Sequence, residues 1–289
     1  MNTNRVTPSI GIDSLIAETA LFHASFETGK DGRTVVGDLV VVRAPVKAGN
    51  NFELGAYTLV CASLTAGDNV KIGSRVTLDT VVELADDVMI QNGVEFKFMK
   101  GTDCIAIGKD TRVLTNAIIY AGSTIGKEVL IADCARILKE ATIGDRTIIG
   151  AYAEIGEGVK IGKDVKIQSY TFIPMYCSVG DRAYLGPGAI LTNTVHPRCE
   201  KIWDCIQGKA AQVEEGAIVG AGSILLPGSI VKKGAFVGAG SIVSGIVPEG
   251  MVYRMSTYAE SAYQLVAQLR CKTGLHPDGF PYRDEKNEG

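Results

Sequence analysis

The chain has 289 residues, of which 46% are hydrophobic and 21% are charged, and its formal net charge is −3. A chain of this length forms one large domain or two ordinary ones, and its apolar content excludes an intrinsically disordered protein. The slightly acidic balance offers no basic footprint for nucleic acid or an anionic membrane. No apolar run approaches the roughly 20 residues of a membrane helix. We therefore expect neither nucleic acid nor a membrane among its partners.

The first ten residues and the cysteines indicate the cellular compartment of the protein. Residues 1–10 contain no apolar stretch of the kind found in a secretory signal. Seven cysteines are an odd number, and no two lie at the spacing of a metal-binding pair. We expect reduced thiols, a cytoplasmic protein and no metal.

A repeat with a period of six residues dominates the sequence. Apolar residues, nearly all of them aliphatic, recur at every sixth position in three blocks, which run from Val36 to Phe96, from Ile107 to Leu191 and from Val213 to Val243. The residue after each aliphatic position is often glycine, as at Gly108. The step from Phe96 to Ile107 is eleven and predicts the loss of one residue there.

A period of six matches neither the 3.6 of a helix nor the 2 of a strand. It fits a coil with three sides, in which each side is one repeat and consists of a short strand followed by a turn. Stacking at the ~4.8 Å strand spacing predicts an all-β parallel β-helix of roughly ten coils, about 50 Å long. The predicted β-helix covers 34–250, with a loop insertion at about 193–211.

The two ends of the chain are predicted to differ from the repeat. Residues 1–33 are expected to form an N-terminal cap, since stacked coils need covered ends. Residues 251–289 are predicted to hold a C-terminal helix and a polar tail. The helix is expected over 257–271, where the apolar residues follow an amphipathic pattern.

The repeat pattern of an aliphatic residue, a small residue and a β-branched residue resembles the hexapeptide-repeat, left-handed β-helix acyltransferases. The resemblance covers about residues 36 to 250. It implies a left-handed coil, acetyl-coenzyme A as the acyl donor, and a homotrimer with three sites at the subunit boundaries.

The repeat lapses between Leu191 and Val213, and such a loop on a rigid scaffold often carries function. Its His-Pro pair resembles sugar O-acetyltransferases, which implies that His196 is the general base. The Thr-Asn and Pro-Arg pairs resemble nucleotide-amino-sugar N-acetyltransferases, which implies that Asn193 positions the acceptor. Histidine suits proton abstraction near neutral pH, and Glu200 is close enough in sequence to orient its ring.

Further site residues are expected around the donor. The C-terminal coils resemble those along which coenzyme A lies in the family, which implies roles for Gly220, Gly222 and Gly238. The phosphates of the coenzyme need cations, and the candidates are Lys232, Lys233 and Arg254. Backbone N–H groups for an oxyanion are expected in the turns 186–188 and 220–222.

These features favour acyl transfer to an amino sugar or a sugar nucleotide. One alternative is a γ-type carbonic anhydrase, which needs three histidines around zinc, although His23 and His276 lie outside the repeat. Another alternative is a non-catalytic scaffold, which would gain nothing from the interrupting loop. The acceptor, the choice between O- and N-acylation and the acyl chain length stay open.

Overall fold

A computed structural model describes residues 7–9, 14–100, 104–195, 206, 208–254 and 260–261. In this part of the chain the regular elements are β-strands that wind into a solenoid, so the predicted all-β parallel β-helix is confirmed. Each coil contains three short strands, as the period of six predicts.

The strands of the first six coils are β1 (Leu15–Ile16), β2 (Leu21–Phe22), β3 (Phe26–Glu27), β4 (Val35–Val36), β5 (Val41–Val42), β6 (Val46–Ala48), β7 (Glu53–Leu54), β8 (Leu59–Val60), β9 (Leu64–Ala66), β10 (Lys71–Ile72), β11 (Thr77–Leu78), β12 (Val81–Leu84), β13 (Met89–Ile90), β14 (Glu95–Lys97), β15 (Cys104–Ile107), β16 (Arg112–Val113), β17 (Ile118–Tyr120) and β18 (Thr124–Ile125). The strands of the next six are β19 (Leu130–Ile131), β20 (Arg136–Ile137), β21 (Thr142–Ile143), β22 (Ile148–Ile149), β23 (Glu154–Ile155), β24 (Lys160–Ile161), β25 (Lys166–Ile167), β26 (Phe172–Ile173), β27 (Ser178–Val179), β28 (Tyr184–Leu185), β29 (Ile190–Leu191), β30 (Gln212–Val213), β31 (Ile218–Val219), β32 (Ile224–Leu225), β33 (Ile230–Val231), β34 (Phe236–Val237), β35 (Ile242–Val243) and β36 (Ile246–Val247). Two strands, β37 (Met251–Tyr253) and β38 (Glu260–Ser261), follow the last coil.

Every third strand joins the same sheet, which gives the solenoid three faces. Sheet 1 has 14 strands and runs from β1 through β4 to β37 and β38; sheet 2 has 12 and runs from β2 to β35; sheet 3 has 12 and runs from β3 to β36. The pairing is parallel throughout except between β37 and β38, which are antiparallel. We name the turns between successive sheets corner 1–2, corner 2–3 and corner 3–1.

The core is a column of aliphatic side chains. On sheet 2, Ile119, Ile137, Ile155 and Ile173 are in register with one another in successive coils, and each is fully buried. Such residues point inward from the second position of each strand, while the first position points outward. β-branched residues suit this one-sided packing.

The solenoid has twelve coils, more than the predicted ten, because it begins earlier than residue 34. Strands β1 to β3 pair in parallel with β4 to β6, so residues 15–27 form the first coil. The register of Leu15 with Val35 makes this coil two positions longer than a regular one, such as that from Lys71 to Met89. The longer coil takes the first strands out of the six-residue register.

The predicted loss of one residue between Phe96 and Ile107 is wrong. Phe96 lies in sheet 2 and Ile107 in sheet 3, so the step crosses a single corner. The pairing of Leu84 with Ile107 spans five more positions than the regular pairing of Leu78 with Phe96. Corner 2–3 therefore carries an insertion at this coil, and Phe98 is exposed on it.

The C-terminal prediction is only partly covered by the described residues. Glu260 and Ser261 form a strand, whereas a helix is expected over 257–271. The rest of that segment and the polar tail lie outside the described residues. Within the part of the chain that the structure describes, no helix has the length and apolar character to cross a membrane.

The corners change character along the axis. Between Leu39 and Arg182, most turns hold a non-glycine residue at positive φ, for example Tyr152 at 58°. From Gly188 to Gly250, the described residues at such positions are glycines. Glycine adopts this conformation without the steric cost that other residues bear.

Candidate functional site

The longest interruption of the solenoid lies between β29 and β30, on corner 2–3. Its ends are joined, because the Ala211 N–H donates to the Thr192 carbonyl at 3.0 Å. Thr192 also donates its N–H and its hydroxyl to the Leu225 carbonyl of the next coil, at 3.0 and 2.8 Å. The insertion therefore begins and ends at a base that is hydrogen-bonded to the solenoid.

Asn193 is part of this base. Its Nδ2 donates to the Met175 carbonyl of the preceding coil at 3.1 Å, and its Oδ1 accepts from the Thr194 hydroxyl at 2.9 Å. In this arrangement the amide ties the loop to the solenoid. His196 and Glu200, the predicted base and its orienting carboxylate, lie outside the described residues.

Cys177 lies beneath the base of the loop and is 1% exposed. Its Sγ is 3.9 Å from the Thr192 carbonyl oxygen. Burial raises the pKa of Cys177 to about 12, so the thiol stays protonated near neutral pH. A thiolate nucleophile is therefore not available at this position.

A groove of about 510 Å³ lies on sheet 3 beside corner 3–1. It is lined by β24, β27 and β30, the last of which resumes the solenoid directly after the insertion. Its polar lining includes Lys160, Ser178, Glu214, Glu215 and Lys233. The strand β30 separates the groove from the end of the insertion, and the groove is large enough for a small molecule.

Lys232 and Lys233 are paired within the chain. Lys232 Nζ is 2.6 Å from Glu214 Oε1, and Lys233 Nζ is 3.2 Å from Glu215 Oε2. The Lys233 N–H donates to Glu214 Oε2 at 3.1 Å. The hydrogen bond from Lys232 lowers the pKa of Glu214. Each lysine would have to leave a carboxylate to bind a phosphate.

The predicted coenzyme glycines lie on corner 1–2, away from these lysines. Gly220 and Gly222 belong to one turn of this corner, and Gly238 to the turn of the next coil. Arg254 follows β37 on the same corner, where a Cβ built on Gly238 would lie 3.7 Å from Arg254 Cγ. This part of the predicted donor site is therefore brought together.

The glycine N–H groups of the two turns expected to bind an oxyanion already donate within the solenoid. The N–H of Gly222 donates to Pro187 O at 2.9 Å, and that of Gly220 donates to Val237 O at 2.8 Å. Gly186 and Gly188 donate in the same way to Val219 and Ser169, at 2.8 and 2.9 Å. These four N–H groups hold adjacent coils together, so none of the four is a free donor for an oxyanion.

The predicted site residues are divided among three corners of the prism. Asn193 lies on corner 2–3, Lys232 and Lys233 on corner 3–1, and the glycines with Arg254 on corner 1–2. No one face of the described chain brings all three sets together. A site that uses them all needs the corners of different copies.

Sequence reasoning missed Lys160 and Ser178, which face the groove from the outward positions of β24 and β27. It also missed the pairing of Glu214 with Lys232. The signal was present, because opposite charges one coil apart in the sequence occupy equivalent positions on the prism. Among the described residues, no three His, Cys, Asp or Glu side chains are grouped as metal ligands.

Two segments match known families. Residues 140–174 match the family described as bacterial transferase hexapeptide (six repeats), and residues 64–94 match the hexapeptide repeat of succinyl-transferase. The matches cover less than a quarter of the chain, and both lie within the solenoid. They confirm the predicted resemblance to the hexapeptide-repeat acyltransferases. No curated protein matches the chain in sequence.

Several solved structures are similar to the chain. A point mutant of AntD, an N-acyltransferase from Bacillus cereus, is 22% identical over 56% of this chain and 87% of that one, with a TM-score of 0.36. A point mutant of perosamine N-acetyltransferase from Caulobacter crescentus is 19% identical, and the match spans 52% of this chain and about half (55%) of that protein's, with a TM-score of 0.29. UDP-N-acetylglucosamine acyltransferase from Francisella novicida is 14% identical over 92% of this chain and 74% of that one, with a TM-score of 0.30. At these values the likenesses carry no argument about substrate.

Proposed function

We propose that this hexapeptide-repeat protein is an acyl-coenzyme A-dependent acyltransferase that acts on a sugar or a sugar nucleotide. The observation that carries the proposal is the anchored insertion between β29 and β30, which interrupts a regular solenoid. The 510 Å³ groove lies at the other end of β30. Both families matched by the solenoid are transferase families. A scaffold alone would not require this interruption.

The proposed reaction is direct transfer. The acceptor hydroxyl or amine attacks the thioester carbonyl, a C–O or C–N bond forms, and the C–S bond breaks. His196 takes the proton from the attacking group, and the coenzyme leaves as its thiol after protonation. Glu200 holds the imidazole in the tautomer that accepts this proton.

The donor is proposed to lie along corner 1–2. Three successive turns of this corner consist of small residues. The turn at 186–188 is Gly-Pro-Gly, and the turns at 220–222 and 238–240 are both Gly-Ala-Gly. A Cβ built on Gly188, Gly222 or Gly240 meets no heavy atom within 4 Å, so an extended chain can approach the backbone there. Arg254 lies at the far end of this surface and supplies a cation for phosphate.

We propose a homotrimer, because the site residues lie on three different corners of one chain. Rotating one copy onto the next brings corner 1–2 of one prism toward another corner of its neighbour. The insertion on corner 2–3 would then reach a donor held by the adjacent copy. Light scattering after size-exclusion chromatography tests this, with three chains per particle expected and a monomer contradicting it.

The activity test uses acetyl-coenzyme A with a panel of amino sugars and sugar nucleotides, and it follows release of the coenzyme thiol. We expect turnover with at least one acceptor. His196→Ala should lower kcat by roughly 10²- to 10⁴-fold, as expected for loss of a general base. His23→Ala is the matched control, since His23 lies in the first coil, and its rate should be unchanged.

No thiol release with any acceptor of the panel at millimolar donor would overturn the proposed activity. An unchanged rate in His196→Ala would overturn only the role of His196 as the general base. Stoichiometric zinc in the purified protein would favour the carbonic anhydrase alternative instead.

A further inference from the structure

Two exposed tyrosines form a stack on corner 1–2. Tyr152 and Tyr170 occupy the same turn position in consecutive coils, and their ring centroids are 5.1 Å apart at an interplanar angle of 1°. The two residues are 55% and 65% exposed, although each adopts a positive φ that is costly for a bulky side chain. Burial in the core does not explain two rings at these positions.

The preceding coil carries no aromatic ring at the equivalent position. Cys134 holds the equivalent position in the preceding coil, with φ 58°. Its thiol is hydrogen-bonded to the Tyr152 phenol, and this contact raises the pKa of Tyr152. The Tyr152 ring therefore stacks only on Tyr170 among the described aromatic side chains, and its hydroxyl is engaged by Cys134.

The upper end of the stack is open. Gly188 takes the next position, because its N–H donates to Ser169 O at 2.9 Å just as the Tyr170 N–H donates to Ala151 O at 2.9 Å. A Cβ built on Gly188 meets no heavy atom within 4 Å. The rings are parallel, so the second face of Tyr170 points toward this glycine and the space above it.

We infer that Tyr170 is a stacking platform for a nucleobase. A flat aromatic ring can continue the ladder of Tyr152 and Tyr170 into the space that the absent side chain of Gly188 leaves. Base stacking on an exposed aromatic side chain is favourable for every base, since every base has a π-face. This inference rests on the proposed function in one respect, namely that a nucleotide-bearing substrate runs along corner 1–2.

Two substrates of the proposed reaction carry a nucleobase. One is the adenine of the acyl donor, and the other is the base of a sugar-nucleotide acceptor. The shared chemistry is a planar base attached to a phosphorylated ribose. Beyond Gly188 the turns at Gly222 and Gly240 leave room for the rest of the nucleotide along the same corner.

The test is calorimetric titration of the full chain with two probes, adenosine 3′,5′-bisphosphate and uridine diphosphate. Tyr170→Ala should weaken binding of one probe by roughly five- to hundredfold, which is the range for loss of one stacked base. Tyr170→Phe should retain binding, because stacking uses the ring and not the hydroxyl. Tyr57→Ala is the matched control, since Tyr57 is an exposed tyrosine at the same corner position far along the axis.

A second variant closes the space instead of removing the ring. Gly188→Asn fits the backbone, because Asn116 adopts φ 58° at the same corner position. Its side chain should occupy the space above Tyr170 and weaken the same probe as Tyr170→Ala does. Circular dichroism checks that the variant is folded, and Tyr170→Ala alone decides the question if it is not.

The outcomes separate the inference from the proposed function. A loss confined to adenosine 3′,5′-bisphosphate assigns the platform to the donor, and a loss confined to uridine diphosphate assigns it to the acceptor. If neither probe binds, or if Tyr170→Ala leaves both dissociation constants unchanged, the inference is wrong. Acyl transfer by the wild type is measured separately, so Tyr170-dependent binding without turnover would contradict only the proposed function.

Discussion

The Thr147 hydroxyl bridges two coils through the Gly162 carbonyl, to which it donates at 2.9 Å while accepting the Val165 N–H at 3.2 Å. Thr147 is fully buried. Thr111 makes the same pair of bonds, to Gly126 and from Val129, at 2.8 and 3.1 Å. The hydroxyl thus satisfies polar backbone groups inside the column of aliphatic side chains.

Thr147→Val should destabilise the protein by about 1–3 kcal/mol, because it keeps the shape of the side chain but leaves a buried carbonyl and a buried N–H without their partner. Thr147→Ser keeps the hydroxyl and should lose less. Urea unfolding measures both variants, and equal stability of Thr147→Val and Thr147→Ser would show that the hydroxyl contributes nothing.

Two glycines of the same turn should differ in how strongly an added side chain destabilises the protein. A Cβ on Gly156 would fall on the backbone nitrogen of Met175 in the next coil, so Gly156→Ala should cost about 1–3 kcal/mol through overpacking. Gly158 has φ 63° and open space around it, and asparagine tolerates that conformation. Gly158→Asn is therefore the control, with a small change in melting temperature; a larger loss there than at Gly156 would contradict the packing argument.

The acid stability of the solenoid should depend on charge pairs such as Arg146 with Asp164. Arg146 Nε and Asp164 Oδ1 are 2.7 Å apart, and this contact lowers the pKa of Asp164 below its ordinary value of 3.8. The folded state therefore binds this proton less tightly than the unfolded state does. The stabilisation is present above the ordinary pKa and is lost as the pH falls below it.

Asp164→Asn should thus lower the melting temperature slightly at pH 7, since exposed pairs contribute little. The difference from the wild type should shrink as the pH falls below about 4, because Asp164 of the unfolded chain takes up its proton there before Asp164 of the folded protein does. Melting curves between pH 2.5 and 7 measure this difference. A gap that stays constant over this range would show that the pair does not control acid stability.

Asn193→Ala should loosen the base of the insertion without unfolding the solenoid. It removes the hydrogen bond to the Met175 carbonyl and the acceptor for Thr194. We expect faster amide exchange around 192–195 and little change in overall melting temperature. Unchanged exchange together with a raised KM for the acceptor would instead indicate that Asn193 contacts the acceptor directly.

The spacing of aliphatic residues determines most of the fold, because a residue such as Ile155 must point inward in every coil. The pattern fails where the coil length changes. The longer coil around Leu15 and the insertion after Phe96 break the register while they preserve the sheets. A count of six-residue steps cannot detect coils of other lengths.

The candidate site was less predictable, since it depends on contacts between coils. The sequence marks Lys232 as a free cation, yet Glu214 lies directly beside it in the preceding coil. It marks Gly222 as a free donor, yet the Pro187 carbonyl accepts its N–H. A comparison of residues one coil apart would have found the lysine's partner but not the glycine's.

Strand β38 changes the edge that the last coil presents on sheet 1. A stack of parallel coils presents unpaired N–H and C=O groups at its last strands, and a second molecule could extend the stack there into a filament. On sheet 1, β38 runs antiparallel to β37 and occupies that edge. On sheet 1, β38 therefore takes the hydrogen bonds that an incoming parallel strand would use.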